Sequence, residues 1–395
     1  MINIDSSYSP KVLSLFSGCG GLDLGFEAAG FEIALASDIL PEACLTMRKN
    51  FPNKVVFGPP DQSGDIGHLT SELVSELTSG ARIDMIIGGP PCQPFSVAAA
   101  QRFLKTDSKF KRKGFDCEDK GQLIFQYANL IIDIRPMAFL IENVPGILSI
   151  DGGSGIRVIY DELSQAGYTI SDPFVLDAKN YGVPQNRKRA FVIGSLKTHK
   201  VSPPMPTHAL NPSLFHDSYV SVAQALHNFD FCLPNSEIRN HKVSSLRRYK
   251  MLLPGEREPL GRVDRLEPHR PSKTIIAGGS AGGGRSHLHP YQARTLSVRE
   301  NARLQTFPDD YIFYGKNGRQ FTQVGNAVPP LLAEVLARKI MEEIFERQVP
   351  GKLKHACKST SFHEANVWLK GWSYETGAEL FYDDIGLPPF LWTVA

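Results

Sequence analysis

The chain has 395 residues, enough for two domains, and its 43 Lys and Arg against 41 Asp and Glu leave a net charge of +2 that names no partner by itself. Its six cysteines (Cys19, Cys44, Cys92, Cys117, Cys232, Cys357) form no C-x-x-C pair and have no His at ligand spacing, so neither a zinc site nor a disulfide framework is expected. The N-terminus shows no basic start followed by an apolar run, and no apolar stretch approaches the roughly 18 residues of a membrane span. A cytoplasmic protein with reduced cysteines and no membrane partner is expected.

From residue 11 to about 194, short apolar runs alternate with amphipathic helical patterns. VLSLF leads to a helix at 22–30, IALAS to one at 41–50, and a third helix is predicted at 70–78. IDMII, a helix at 122–134, AFLIE, a helix at 156–166 and a strand pair near 168–176 and 189–195 follow. This alternation predicts an α/β, Rossmann-like fold: a mostly parallel sheet with helices on both faces, whose ligands bind beyond the carboxyl ends of the strands.

The strand ends carry the polar and conformationally special residues. The first strand runs into Phe16-Ser17-Gly18-Cys19-Gly20-Gly21, where glycines let backbone approach a ligand. Asp23 stands where a dinucleotide fingerprint would have its third glycine, and an acid at a helix start disfavours a pyrophosphate. Asp38 ends the second strand, either as an acceptor for ribose hydroxyls or as a helix cap. Gly64-Asp65-Ile66 follows the third, with Asp65 either at an adenine edge or in a plain turn.

GGPPCQPFS follows the fourth strand and holds Cys92 between prolines, either a small core residue or an aimed nucleophile. The fifth ends in Glu142-Asn143-Val144, a carboxyl group whose pKa burial would raise. QNRKR precedes the last strand and places Arg187 and Arg189 on one side of an extended segment, where an ion pair is the structural alternative.

Beyond residue 196 the periodicity dissolves into a Pro-rich linker and an irregular stretch with 13 Lys or Arg and 6 Asp or Glu between Ser236 and Glu300, a net of +7 that suits a polyanion. Helical spacing returns at 297–305 and 329–347. The expected division is 1–195, a small domain over 196–295, a return to the first domain over 296–350, and an extension of unknown role over 351–395.

FSGCGGLDLGFEAAGF, Asp38, GDI, GGPPCQPFS, ENV, QNRKR, RPSKTI, SVRENARLQTFPDDY and QVGNAVPP, taken in this order over roughly residues 11–345, resemble the DNA (cytosine-5) methyltransferases. The resemblance implies methyl transfer from S-adenosylmethionine to C5 of a cytosine flipped out of a specific duplex DNA sequence, through a covalent bond between Cys92 and C6. It implies that Glu142 stabilises charge at N3, that Arg189 with Arg187 does so at O2, and that Asn143 fixes the loop carrying Glu142.

The same resemblance places the methyl donor against Phe16, Gly18, Cys19, Gly20, Gly21, Asp38, Ile39, Asp65, Ile66, Gly89, Pro91, Leu123, Asn326 and Val328. Ile39 stands where many relatives have an aromatic residue, so adenine stacking is expected to be weaker. The segment from about Ser96 to Gly121, basic at Lys111 and Arg112, corresponds to a closing loop expected to be poorly ordered without DNA. Ser96, Lys111, Arg112, Arg247, Arg248, Lys250 and Arg285 are the expected DNA contacts. The protein is expected to act as a monomer of bacterial restriction-modification or orphan type, associated with nucleoid DNA. A tRNA cytosine methyltransferase is the rival reading within the family, although its Cys-Phe-Thr tripeptide is absent here. A catalytically silent DNA-binding relative is the rival from another class.

Overall fold

Strands that are apolar at consecutive positions must be covered on both faces, and the central strands of this chain meet that condition. The computed structural model describes residues 8–91, 122–148, 154–260, 263–277, 287–357 and 360–373. In chain order the elements begin with β1 (Lys11–Leu15), α1 (Gly21–Ala28), β2 (Glu32–Ser37), α2 (Pro41–Asn50), β3 (Val55–Phe57), α3 (Ser71–Leu77) and β4 (Met85–Gly88). There follow α4 (Gln122–Ile134), β5 (Ala138–Asn143), α5 (Ser154–Gln165), β6 (Thr169–Ile170), β7 (Phe174–Asp177) and β8 (Lys188–Ser195). The remainder comprises β9 (His208–Ala209), β10 (Asp217–Ser218), α6 (Val222–Leu226), α7 (Val243–Lys250), α8 (Val298–Leu304), α9 (Asn317–Asn326), α10 (Pro330–Glu343) and α11 (Phe362–Ser373).

Two compact units are formed. The first comprises Met1–Tyr181, Arg187–Thr207 and Ala327–His355; the second comprises Gly182–Asn186, His208–Asn326 and Ala356–Ala395. In the first unit the strand order is β3-β2-β1-β4-β5-β8-β6, with β7 also on β8. β1 to β5 run parallel, and β8 runs antiparallel to β5, β6 and β7. Leu13 and Leu15 of β1 join Ile86, Phe139, Ile141, Tyr127 and Ile131 in one core cluster. The alternating β1 residues Val12 and Ser14 are also buried, so the opposite face is covered too.

Helix α1 lies on the Ser14 side, where its Asp23 accepts a hydrogen bond from Ser14 Oγ at 2.6 Å. It packs against α10 so closely that a Cβ built on Gly25 would run into Ala333 and the backbone of Glu334. α10 ends at Glu343, short of the periodicity through 347, and the chain then turns with a positive φ at Glu346. Buried Glu334 holds the strap that follows: it accepts from the backbone N–H of Lys354 (2.9 Å) and His355 (3.0 Å). Arg338 donates to the carbonyls of Val349, Gly351 and Lys352.

The second unit has little regular structure, and side chains do much of its hydrogen bonding. Its core gathers Val222, Leu226, Leu266, Ile275, Leu296, Leu304, Ala365 and Leu369. Segment 296–326 belongs here, contrary to the expected return at 296, because Leu296 and Leu304 bury against α6. Arg294 pairs with Glu300 through two 2.8 Å contacts, while Arg299 donates to the carbonyls of Pro234, Pro308 and Tyr311. Arg265 donates to the carbonyls of His289 and Gln292. Arg265, Arg294 and Arg299 are buried, so part of the +7 read from sequence is internal and unavailable to a polyanion.

The α1–α10 contact yields a test. Glycine inside a helix costs about 1 kcal/mol relative to alanine, whereas overpacking costs about 1–3 kcal/mol and here meets backbone that cannot rotate away. Gly25→Ala is therefore expected to lower the urea midpoint with an unchanged slope. A raised midpoint would refute the close approach.

Candidate active site

The carboxyl ends of the parallel strands and the start of antiparallel β8 meet at one edge of the sheet. Glu142 and Asn143 end β5, and their register with Phe191 and Ala190 brings Arg189 beside Glu142. Arg189 Nε lies 2.9 Å from Glu142 Oε1, with both side chains only 12–13% exposed. Arg187 is fully buried, and its backbone is held by Asp177 Oδ1 at 3.2 Å and by the N–H of Ala178 at 2.9 Å. Burial raises the pKa of Glu142 above the usual carboxylate value, against the opposing pull of Arg189 and then Arg187.

The glycines of GGPP make room for this carboxyl. A Cβ on Gly89 would sit 2.6 Å from Glu142 Oε2, and one on Gly88 would sit 2.6 Å from the Leu15 carbonyl. Asn143 joins the two strand ends. Its amide donates to the Pro90 carbonyl at 3.1 Å, and its Oδ1 accepts from the N–H of Val144 at 2.8 Å. The backbone leading into Pro91 is thus tied to the loop that follows Glu142. Cys92, the next residue, lies outside the described residues, as do Ser96, Lys111, Arg112 and Arg285, together with the whole expected closing loop.

At the same edge, beyond the carboxyl end of neighbouring β1, the glycine turn adopts left-handed backbone at Phe16, Gly18 and Gly20. The space where a Gly18 side chain would project is open, with no atom of the described residues other than its chain neighbours within 4 Å. Asp38 Oδ2 accepts from the N–H of Gly18 at 2.8 Å and Oδ1 from the N–H of Leu40 at 2.8 Å, so this acid both joins β1 to β2 and caps the turn into α2. Its backbone carbonyl is enclosed by Gly58, Gly64 and the Cys44 thiol, which donates to it at 3.1 Å. Ile39 is 57% exposed. An open glycine backbone, a carboxylate with lone pairs to spare and an exposed apolar side chain fit the methyl donor expected from sequence, a nucleoside without phosphates.

Cys19 and Ile66 are buried; burial pushes the Cys19 thiol up in pKa, and Ile66 belongs to the core. Asp65 caps a short 3-10 turn, its Oδ1 accepting from Gly67 N–H at 2.9 Å. Leu123 packs on the core cluster, and Gly21 is buried at the start of α1. Val328 is buried in the first unit, and Asn326 is the exposed last residue of α9 in the second. On α7, Arg247 is exposed, whereas Arg248 is taken by buried Glu258 at 2.7 Å and Lys250 is half-buried.

Ser14, Ser17, Gly58 and the partner of Asp23 have roles that no sequence motif marks. A lone polar residue in VLSLF was the available signal for Ser14; nothing marked Gly58. Gln185 and Asn186 of QNRKR also have roles that spacing did not suggest. Gln185 bonds Gln305 Oε1 at 2.9 Å, and Asn186 donates to the Ser272 carbonyl at 3.0 Å, all within the second unit.

A family model described as C-5 cytosine-specific DNA methylase matches residues 10–342. The chain is 34% identical over 352 residues to the Type II methyltransferase M.NgoFVII of Neisseria gonorrhoeae, covering 85% of this chain and 87% of that protein. It is 31% identical to the Type II methyltransferase M1.HphI of Haemophilus parahaemolyticus, covering 84% and 86%. Among solved structures, an E. coli prophage-encoded protein provisionally assigned as a DNA modification methyltransferase matches with a TM-score of 0.68 and 26% identity, covering 86% of this chain and all of that one.

The buried pair gives a pH test. A carboxyl whose folded pKa exceeds its unfolded value contributes less stability as pH rises through that window. Arg189→Ala removes the countercharge and pushes Glu142 further up. The variant's deficit against the wild type is therefore expected to be larger at pH 8 than at pH 5, growing by at most about 1.4 kcal/mol per pH unit. Glu142→Gln combined with Arg189→Ala should abolish the trend; an equal deficit at both pH values would exclude Glu142 as its source.

Proposed function

The chain belongs to the C-5 cytosine-specific DNA methylase family and is accordingly a DNA (cytosine-5-)-methyltransferase with S-adenosylmethionine as methyl donor; from that premise we propose that it methylates a flipped-out cytosine of duplex DNA through a Cys92 adduct. The observation that carries this reading is the Glu142, Arg189 and Arg187 cluster, joined by Asn143 to the backbone that leads into Cys92.

C5 of cytosine is too weak a nucleophile to take a methyl group unaided. The Cys92 thiolate forms a bond to C6, and the displaced π electrons move toward N3 and C5. Glu142, whose burial favours its protonated form against the pull of Arg189 and Arg187, places a proton at or near N3, so the ring need not carry full negative charge. Arg189 and Arg187 set fixed positive charge on the same side, at the developing charge on O2. Bound S-adenosylmethionine supplies an electrophilic methyl group on sulfonium. Loss of the C5 proton then returns the electron pair that breaks the S–C6 bond and frees Cys92.

Asp38 would accept the donor's ribose hydroxyls, Ile39 would cover its adenine, and the open backbone at Gly18 would admit its amino-acid end. A base within a duplex must leave the stack to reach this edge of the sheet, at a cost of a few kcal/mol. The substrate is double-stranded DNA, and the enzyme acts as a monomer of the Type II restriction-modification kind, in the cytoplasm. No helix among the described residues is long and apolar enough to cross a membrane.

Labelled S-adenosylmethionine supplied with duplex DNA and, separately, with tRNA tests the reading. Label is expected in DNA alone, with Cys92→Ser reducing incorporation by about a thousandfold or more and the wild type forming a covalent adduct with 5-fluorocytosine DNA. Label entering only RNA, or undiminished transfer by Cys92→Ser, would overturn it.

A further inference from the structure

Asp23 is a fully buried carboxyl group at the start of α1, and its Oδ2 has no hydrogen-bond partner among the described residues. Its Oδ1 ends a chain of donors that all point one way. The N–H of Ser37 donates to Ser17 Oγ at 3.1 Å, the single Ser17 hydroxyl proton lies between Ser14 Oγ at 2.9 Å and the Ser14 carbonyl at 3.0 Å and so ties Ser17 to Ser14 either way, and Ser14 Oγ donates to Asp23 Oδ1 at 2.6 Å. The chain begins one residue before Asp38, passes through the second residue of the glycine turn and ends on the helix that the turn opens. Hydrogen bonds aligned head to tail polarise one another, and a carboxylate at the end strengthens every link.

We infer that Asp23 is a positioning residue for the methyl-donor site: through Ser14 and Ser17 it holds the glycine turn of β1 in register with Ser37 and Asp38 at the end of β2. The inference rests on the reading that this turn and Asp38 hold S-adenosylmethionine. Two further observations separate it from simple packing. Burial pushes Asp23 up to about 6, so near neutral pH the fold carries an ionised group whose charge opposes folding. The other charged groups facing it do not take its place in the chain. Lys54 is paired with Glu27, the Cys19 thiol is kept neutral by burial, and on α10 Glu334 is engaged by Arg338 and by the backbone of Lys354 and His355.

Protonation at Oδ2 weakens Oδ1 as an acceptor and loosens the chain. In the full-length protein without DNA, calorimetric titration with S-adenosylmethionine is therefore expected to show the wild-type Kd weakening as pH falls from 7.5 to 5.5, with an inflection near 6. Asp23→Asn, nearly isosteric and unable to ionise, should bind about tenfold more weakly at pH 7.5 and lose that inflection. Ser14→Ala should do the same with Asp23 intact, because the link is broken. Hydrogen exchange of the free variants should quicken over residues 16–20 and 37–40 and stay unchanged in β4 and β5, whereas a general loss of stability would quicken both.

Asp38→Ala separates the two levels. If it binds S-adenosylmethionine as the wild type does, the underlying site reading fails. If it loses binding while Asp23→Asn and Ser14→Ala keep both the wild-type Kd and its pH profile, the role of Asp23 fails.

Discussion

The constraint on which the rest depends is a carboxyl group held at the end of a buried strand. Glu142 leaves β5 where both sheet faces are covered, and a lone carboxylate there would be strongly opposed by desolvation. The counterions must come from a strand that starts at this edge. In a sheet of parallel strands every carboxyl terminus faces one way, so only an antiparallel neighbour can present its first residues there. β8 is that neighbour, and Arg187 and Arg189 lie at its beginning. This explains why the cysteine and glutamate motifs follow their strands while the arginine motif precedes its own.

Crowding at the same edge decides where glycine is required. Gly89 yields its side-chain volume to the Glu142 carboxyl and Gly88 to the Leu15 carbonyl, which lets β4 stay between β1 and β5 while its continuation rises to the site. Gly58 and Gly64 do the same around the Asp38 carbonyl. The acid is thereby located from the ends of β1, β2 and β3 together, and its two oxygens are oriented by Gly18 and Leu40 before any ligand arrives. Such preorganisation is what a binding carboxylate needs, since reorienting it on each encounter would weaken affinity.

Much of this was legible in the sequence because parallel sheets write themselves plainly: strands apolar at every position, functional residues at their ends. VLSLF, IDMII and AFLIE became β1, β4 and β5, and Asp38, Glu142, Arg187 and Arg189 stand at sheet ends as their positions implied. What escaped was long-range pairing without periodicity. Ser14 meets Asp23 because α1 folds back over β1, and Gly58 matters only because the Asp38 carbonyl happens to sit against it. The short helix α9, NGRQFTQVGN, is polar enough to pass for loop. That Asp65 caps a 3-10 turn and Ile66 joins the core likewise depends on pairings that no spacing announces.

Charge counting misled for a related reason. In the second unit, strands of two residues leave many carbonyls without backbone partners, and arginine supplies up to five donors on one rigid plane. Arg265 and Arg299 spend theirs on carbonyls, and Arg294 is locked to Glu300, whose pKa falls to about 2 under that pairing even though burial pushes the other way. Arg248 meets Glu258, and Lys273 meets Asp264. These cations stand in for absent secondary structure, so a sequence rich in arginine can be basic without offering a basic surface. The cations that remain at the surface are those, such as Arg247, that are exposed. Salt distinguishes the two populations, because screening acts on exposed charges and hardly on buried pairs. Raising ionic strength should therefore weaken the hold on DNA at concentrations that leave the second unit folded.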